Sequence, residues 1–173
     1  MFASFQAAMA PGHNAGYQQG LYKRTYSGYY SNVKAWFTTA TLTATNKVVG
    51  SINMGSIPTT TTYEFVGYFK APYAEAFTFS LNSDDLSYLW IGDNALYANY
   101  TNAVGSYLVS ATAGFPSSGT TAVLQAGKTY PFRLQVGNNG GPGLLALSVS
   151  SISLASTSDL TALGLYNPNT LGI

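Results

Sequence analysis

Cysteine is absent from this sequence, histidine occurs once, and charge of either sign is scarce: seven basic and six acidic residues among 173. Without cysteine there are no disulfides, no thiol nucleophiles and no thiolate metal sites. The single histidine, His13, lies between Gly12 and Asn14 in the opening segment, so zinc-hydrolase and Ser-His-Asp chemistry have no support. Glu64 and Glu75 flank one strand pair, while Asp84 and Asp85 are neighbours rather than acids spaced across a glycosidic bond. An enzyme is therefore not expected. Only Lys23 and Arg24 are adjacent cations and the net charge is +1, which argues against nucleic acid, whose affinity comes from clustered Lys and Arg. No apolar run approaches the ~20 residues that span a bilayer, so membrane insertion is not expected. The opening residues 1–10 lack the basic and leucine-rich regions of a signal peptide and read as part of the mature chain.

Tyr, Thr, Ser, Asn and Gly stand where charge is missing; there are 14 tyrosines and 18 glycines. Such a surface is polar without being ionic, which suits sugar contacts, assembly of copies, or both. The length fits one domain with a real core. Residues 1–19 read as a Gln/Ala/Gly-rich arm in which a short helix over 1–10 would align Phe2, Phe5 and Met9. From Gly20 the apolar period switches to two. Tyr63, Phe65, Gly67 and Phe69 alternate with Glu64, Val66, Tyr68 and Lys70; Phe77, Phe79 and Leu81 alternate with Thr78 and Ser80. Further β-rich runs cover 88–91, 121–124, 130–136 and 144–150, separated by Gly, Pro, Asn and Asp clusters. This pattern predicts an all-β fold, an antiparallel, jelly-roll-like β-sandwich over residues 20–151. Two Thr/Ser/Asn-rich stretches, 38–62 and 97–119, read as surface loops or weaker edge strands. Residues 152–173 form a C-terminal arm that opens with a helical turn capped by Ser158.

Asp84 and Asp85 follow the alternating strand Phe77–Leu81, and in so charge-poor a chain two adjacent acids call for a neutralising partner. A divalent cation serves: calcium takes six to eight oxygens from carboxylates, amide and backbone carbonyls, and water. The hairpin loop at 137–143, with Asn138, Asn139 and several backbone carbonyls, supplies more oxygens if it opens at the same end of the sandwich. Coordination sites left over would suit the vicinal hydroxyls of a sugar. The plainer reading is also good chemistry, since Asn82-Ser83-Asp84-Asp85 is an excellent turn and the hairpin an ordinary flexible loop. Trp90 reads as core. Tyr97, Tyr100 and Tyr107 suit stacking on a sugar face or simple packing.

Across residues 20–150 the sequence resembles the β-sandwich carbohydrate-binding domains of anthrax protective antigen, fungal flocculins and GLEYA-type adhesins. The resemblance rests on Gly67-Tyr68-Phe69-Lys70, on the Phe77–Ser83 strand leading into the two aspartates, and on Tyr88-Leu89-Trp90-Ile91-Gly92. It extends to Ala126-Gly127-Lys128-Thr129-Tyr130-Pro131-Phe132-Arg133-Leu134 and to the glycine-rich hairpin. It implies a lectin-type sandwich in which Asp84 and Asp85, joined by a cis peptide, bind Ca2+ together with the Asn138 side chain and the carbonyls of Gly140 and Pro142. Asp93, Asn94, Asn139, Tyr97 and Tyr100 are the further candidates for ligand contact. The sequence departs from the flocculin pattern in lacking an aromatic in this hairpin and in lacking disulfides.

Two functions follow. One is a calcium-dependent carbohydrate-binding module that attaches to glycans on a cell or particle surface, from an extracellular or virion-surface position. The other is a structural coat, capsid or filament subunit that meets copies of itself or other coat proteins through its terminal arms.

Overall fold

The computed structural model describes residues 17–48, 50–160 and 163–166. The expected N-terminal helix, His13 and the Asn-Pro-Asn end of the chain lie outside the described residues. Two antiparallel sheets pack face to face, as the period-two pattern requires. The larger has eight strands: β1 (Gln18–Gln19), β2 (Leu21–Ser27), β3 (Thr41–Val48), β5 (Thr61–Lys70), β7 (Leu86–Ile91), β8 (Val109–Thr112), β10 (Thr129–Asn138) and β12 (Gly164–Tyr166). The smaller has four: β4 (Asn53–Ile57), β6 (Thr78–Asp84), β9 (Ser117–Thr120) and β11 (Gly143–Ser150). The neighbour order is β3-β2-β5-β10-β7-β8 in one sheet, with β12 and then β1 continuing beside β5 past the end of β2, and β4-β11-β6-β9 in the other.

Alternation decides what each face does. Phe65, Phe69, Leu89, Phe132, Leu134 and Val136 from the large sheet meet Phe79, Leu81, Leu145, Leu147 and Val149 from the small one, all of them buried. The opposite face of the large sheet is buried too. It carries a second aromatic cluster of Tyr88, Trp90 and Tyr100, roofed by the excursion at 92–108. Trp90 is thus fully buried, but outside the inter-sheet core. Beside it, the Glu64 carboxylate accepts hydrogen bonds from Arg24, Arg133 and Gln135, and Arg133 Nε donates to the Ala95 carbonyl at 2.9 Å. The two Thr/Ser/Asn-rich stretches supply β3, β4, β8 and most of β9, each at an outer edge of its sheet. Thr157 and Asp159 make isolated β-bridges to Val149 and Ser51, so the helical turn expected at Ser158 is not there. The Leu160 carbonyl accepts from the amides of Leu163 and Gly164.

The connections sort by end. β4 to β5, β6 to β7, β8 to β9 and β10 to β11 all cross from one sheet to the other at the same end, which also holds both sequence motifs. β7 runs away from that end.

Candidate functional site

The crossover from β6 to β7 is a single residue. Asp84 closes β6, Asp85 turns the chain, Leu86 opens β7, and the Asp84–Asp85 peptide is cis. Behind it the hydroxyls of Ser83 and Ser87 are buried and 2.6 Å apart, and Ser83 Oγ donates to the Ala111 carbonyl at 3.1 Å. Neighbouring crossovers hold the backbone around the pair. The Asp85 amide donates to the Gly137 carbonyl (3.2 Å), and the Asp85 and Ser83 carbonyls accept from the amides of Ala113 (2.9 Å) and Gly114 (2.8 Å). The carboxylates themselves stay at the surface. Partial desolvation first, then the charge of Asp85 and a hydrogen bond shared with it, raise the Asp84 carboxyl above its ordinary value.

The hairpin after β10 closes on this pair. The Asn139 amide donates to Asp85 Oδ2 at 2.6 Å. Asn138 is fully buried, and its Nδ2 is committed to the carbonyls of Ile57 (2.7 Å) and Gly141 (3.2 Å), while its Oδ1 has no partner. A buried acceptor without a donor costs on the order of 1–3 kcal/mol, so this oxygen, on the hairpin whose next residue binds Asp85, is open to a hydrogen-bond donor or a cation. The loop's own hydrogen bond falls on the Gly141 carbonyl rather than on those of Gly140 or Pro142. Among the described residues no third Asp, Glu, His or Cys joins the pair. The donor set is therefore two carboxylates plus neutral oxygens, the hard-oxygen chemistry that suits calcium.

Gly143 keeps Asn138 in place. A Cβ there would sit 2.6–2.9 Å from Asn138 Nδ2, Cγ and Cβ, too close for any real contact. Gly143→Ala is expected to push that side chain aside and, where the acid pair and Asn138 together hold a calcium ion, to weaken its binding by roughly tenfold, about 1.4 kcal/mol. The fold should survive. Isothermal titration with calcium, alongside circular dichroism, checks both halves.

The other predicted ligand contacts are not brought here. Asp93 and Asn94 sit in a 3₁₀ turn past the far end of β7, where the Asp93 carbonyl accepts from Asn99 Nδ2 and Asn94 Nδ2 donates to the Ser106 carbonyl. β7 spans six residues, or about 20 Å at 3.3 Å per residue, so these groups brace the 92–108 excursion instead of meeting the acids. Tyr100 is fully buried against Trp90, with ring centroids 5.2 Å apart, and offers no face to a ligand. Tyr97 is half exposed but belongs to the same roof, with Lys34 Nζ donating to its carbonyl. Two aromatics that the sequence reading missed border the acids instead. Phe115, 73% exposed, lies in the β8–β9 crossover next to the amides of Ala113 and Gly114. Tyr29 packs over Gly137, whose carbonyl accepts the Asp85 amide, and partial burial, then the charge of Asp85, raise its phenol above its ordinary value. Gly137 leaves it room, since a Cβ there would come within 2.6–2.8 Å of Tyr30 and Tyr29.

A two-sheet all-β domain whose crossovers gather an acid pair and an asparagine hairpin at one end belongs to the lectin-type sandwiches. The GLEYA domain profile matches residues 61–151, β5 through β11 and just over half of the 173 residues. The chain is a member of the GLEYA domain family. Among solved structures, the epithelial adhesin 6 A domain from Candida glabrata, in complex with Galb1-3GlcNAc, superposes with a TM-score of 0.76. Its identity is 21%, over 94% of this chain and 93% of that one. The epithelial adhesin 9 A domain from Candida glabrata, in complex with Galb1-4GlcNAc, gives 0.71 at 16% identity, over 93% and 94%. A PA14 sugar-binding domain from an RTX adhesin gives 0.67 at 15% identity, over 87% and 99%. None of the curated proteins matches the chain in sequence. These relatives are sugar-binding and adhesin domains, not enzymes.

Proposed function

We infer that the chain is a calcium-dependent carbohydrate-binding module that attaches to surface glycans from an outer, extracellular position. One observation carries the reading: the buried Asn138 Oδ1 has no partner, and its loop is tied to the Asp85 carboxylate by a 2.6 Å hydrogen bond. Asp84, Asp85 and Asn138 would hold the ion, with the Gly140 and Pro142 carbonyls as the remaining protein ligands. When bound, calcium supplies positive charge and open coordination sites for vicinal hydroxyls. Phe115, and Tyr29 beside Asp85, are the aromatic faces against which an apolar sugar face could rest. Membership of the GLEYA family, and neighbours described as bound to galactosides, support the same reading. No helix among the described residues is long and apolar enough to cross a membrane. The alternative, assembly through the terminal arms, falls largely on residues 1–16 and 167–173, outside the described structure.

The test is a calcium titration followed by melting temperature and by glycan-array binding, at neutral and at acidic pH. The sign of the pH effect follows from Asp84. Its carboxyl is raised in the folded chain, so its contribution to stability is present below the unfolded value and lost as pH rises through the folded one. The calcium-free protein should therefore lose a little stability as Asp84 ionises. Calcium requires the ionised pair, so its stabilising effect should appear over the same interval and disappear again on acidification. A melting temperature indifferent to millimolar calcium at neutral pH would remove the metal from the reading.

A further inference from the structure

The hairpin between β10 and β11 holds a second chemistry, one that ion binding does not use. Of the asparagines in the chain, only Asn139 precedes a glycine. Asn139 and Gly140 are both exposed, and so are Gly141 and Pro142 after them. Among the described residues, none forms a hydrogen bond with the Asn139 side chain or with the Gly140 amide. A Cβ built on Gly140 would meet nothing within 4 Å, so the space beside its nitrogen is open. Asn139 is held by its own amide, which donates to Asp85 Oδ2 at 2.6 Å. That bond fixes the N-terminal side of the residue and does not restrain rotation about its Cα–C and side-chain bonds. Asn138 is the opposite case. It is fully buried, its Nδ2 is committed to the carbonyls of Ile57 and Gly141, and the residue after it carries a side chain.

An asparagine so placed can close on its own backbone. The Gly140 nitrogen attacks Asn139 Cγ, and its proton passes by way of water to the side-chain nitrogen, which leaves as ammonia. The product is a five-membered succinimide. Water then opens the ring at either carbonyl, giving aspartate at 139 or isoaspartate, in which the main chain runs through the former side chain. Glycine favours this route, because it has no Cβ to shield the nitrogen and the widest choice of backbone angles. Water enters, ammonia leaves, and nothing is oxidised or reduced.

We propose that Asn139–Gly140 is a spontaneous deamidation site that places a third carboxylate beside Asp84 and Asp85 as the protein ages. The backbone at 139 is bonded to the Asp85 carboxylate, so the new charge arises within a side chain's length of the pair. Seven basic residues then face seven acidic ones, and the net charge falls from +1 to zero. The modification stands on the hairpin alone, while its effect on calcium rests on the calcium-dependent reading above. Calcium affinity follows the number of charged ligands and the rigidity of the loop that carries them. Aspartate at 139 adds charge without altering the main chain, and tightens the site. Isoaspartate lengthens the main chain between Asn138 and Gly141, which draws the Asn138 Nδ2 bond to the Gly141 carbonyl out of register and loosens the site. Aged protein therefore holds two new calcium affinities, one on each side of the fresh one.

The experiment keeps the full chain in warm neutral buffer for weeks, beside Gly140→Ala, and follows both by peptide mass spectrometry. In the wild type the peptide holding 138–143 should gain one mass unit and split into aspartate and isoaspartate forms, at a rate no other asparagine matches. Gly140→Ala should slow that gain several-fold. No gain at 139, or equal rates in the two proteins, overturns the proposal. Calcium titration of fresh wild type and Asn139→Asp reads the consequence, with the variant expected to bind about tenfold more tightly. Equal affinities with the mass gain present overturn the effect on the site and leave the modification in place. Absence of calcium binding by either protein overturns the calcium reading, and the mass gain still decides the modification.

Discussion

Replacing Asp85 with asparagine is expected to abolish the response to calcium while leaving the calcium-free protein at least as stable as the wild type. Asn keeps an oxygen where Asp85 Oδ2 accepts the Asn139 amide, so the hairpin stays anchored. It removes one of two charges that crowd each other, and the raised Asp84 carboxyl should fall back toward its ordinary value. At calcium a hundredfold above its dissociation constant, the wild type should gain about 2.7 kcal/mol, or roughly 5–10 °C in melting temperature for a chain of this size. The variant should gain nothing, and its glycan binding should fall by at least two orders of magnitude. Differential scanning calorimetry with and without calcium separates the possibilities. A pair that merely makes a turn would show no calcium effect in either protein, and Asn would be neutral.

The second large effect is expected on the outward face of the large sheet. Glu64 is buried and satisfies Arg24, Arg133 and Gln135, and Arg133 is itself fully buried with its Nη2 unpartnered. Glu64→Leu removes the carboxylate that pairs with Arg133 and strands a guanidinium in the interior, a change that costs about 3–5 kcal/mol. Arg24 is less affected, because its side chain is partly exposed and can turn to water. Arg133 also donates to the Ala95 carbonyl and lies over the Tyr100 ring, 4.5 Å from its centroid, so the 92–108 roof should loosen with it. Urea unfolding is expected to show the full loss for Glu64→Leu and a smaller loss for Glu64→Leu combined with Arg133→Met, which no longer buries an unpaired charge. Equal losses would mean that the network acts through shape rather than charge.

Much of the sandwich was legible because each strand carries its face in its alternation. Phe77, Phe79 and Leu81 point to the core while Thr78 and Ser80 point out, and the register of β6 with β11 follows. The poorly apolar stretches 38–62 and 97–119, expected as surface loops or weaker edge strands, hold outer strands at 41–48, 53–57, 109–112 and 117–120, since an outer strand has less to bury than a central one, while 97–108 belongs to the roof. The roof over the large sheet was harder to see. Its signal lay in strands with large apolar residues on both faces, such as Tyr88 and Trp90 beside Leu89 and Ile91, which require cover on both sides. That cover is why Tyr100 is inaccessible.

The site divides in the same way. Asp84, Asp85 and the Asn138 hairpin come together because two crossovers share one end, and both stretches of sequence carried the expectation. Asp93 and Asn94, expected as ligand contacts, lie apart from the acids for a reason the sequence also holds. They follow β7, the acids precede it, and an extended strand separates whatever lies at its two ends. Phe115 had no such signal. Its position depends on β8 and β9 crossing between sheets beside the acids, and nothing local in Ala113-Gly114-Phe115-Pro116 announces that pairing.

Asp84 ends a strand of the small sheet and Asn138 ends a strand of the large one, so an ion held between them is a rivet through the seam of the sandwich. Tension applied through a captured glycan would enter both layers together rather than peel one from the other. Strands pulled along their length share the load over many hydrogen bonds at once. On the calcium-dependent reading proposed for this chain, mechanical grip and metal occupancy would be one property, and a shear flow that tears off the calcium-free form should leave the loaded form attached.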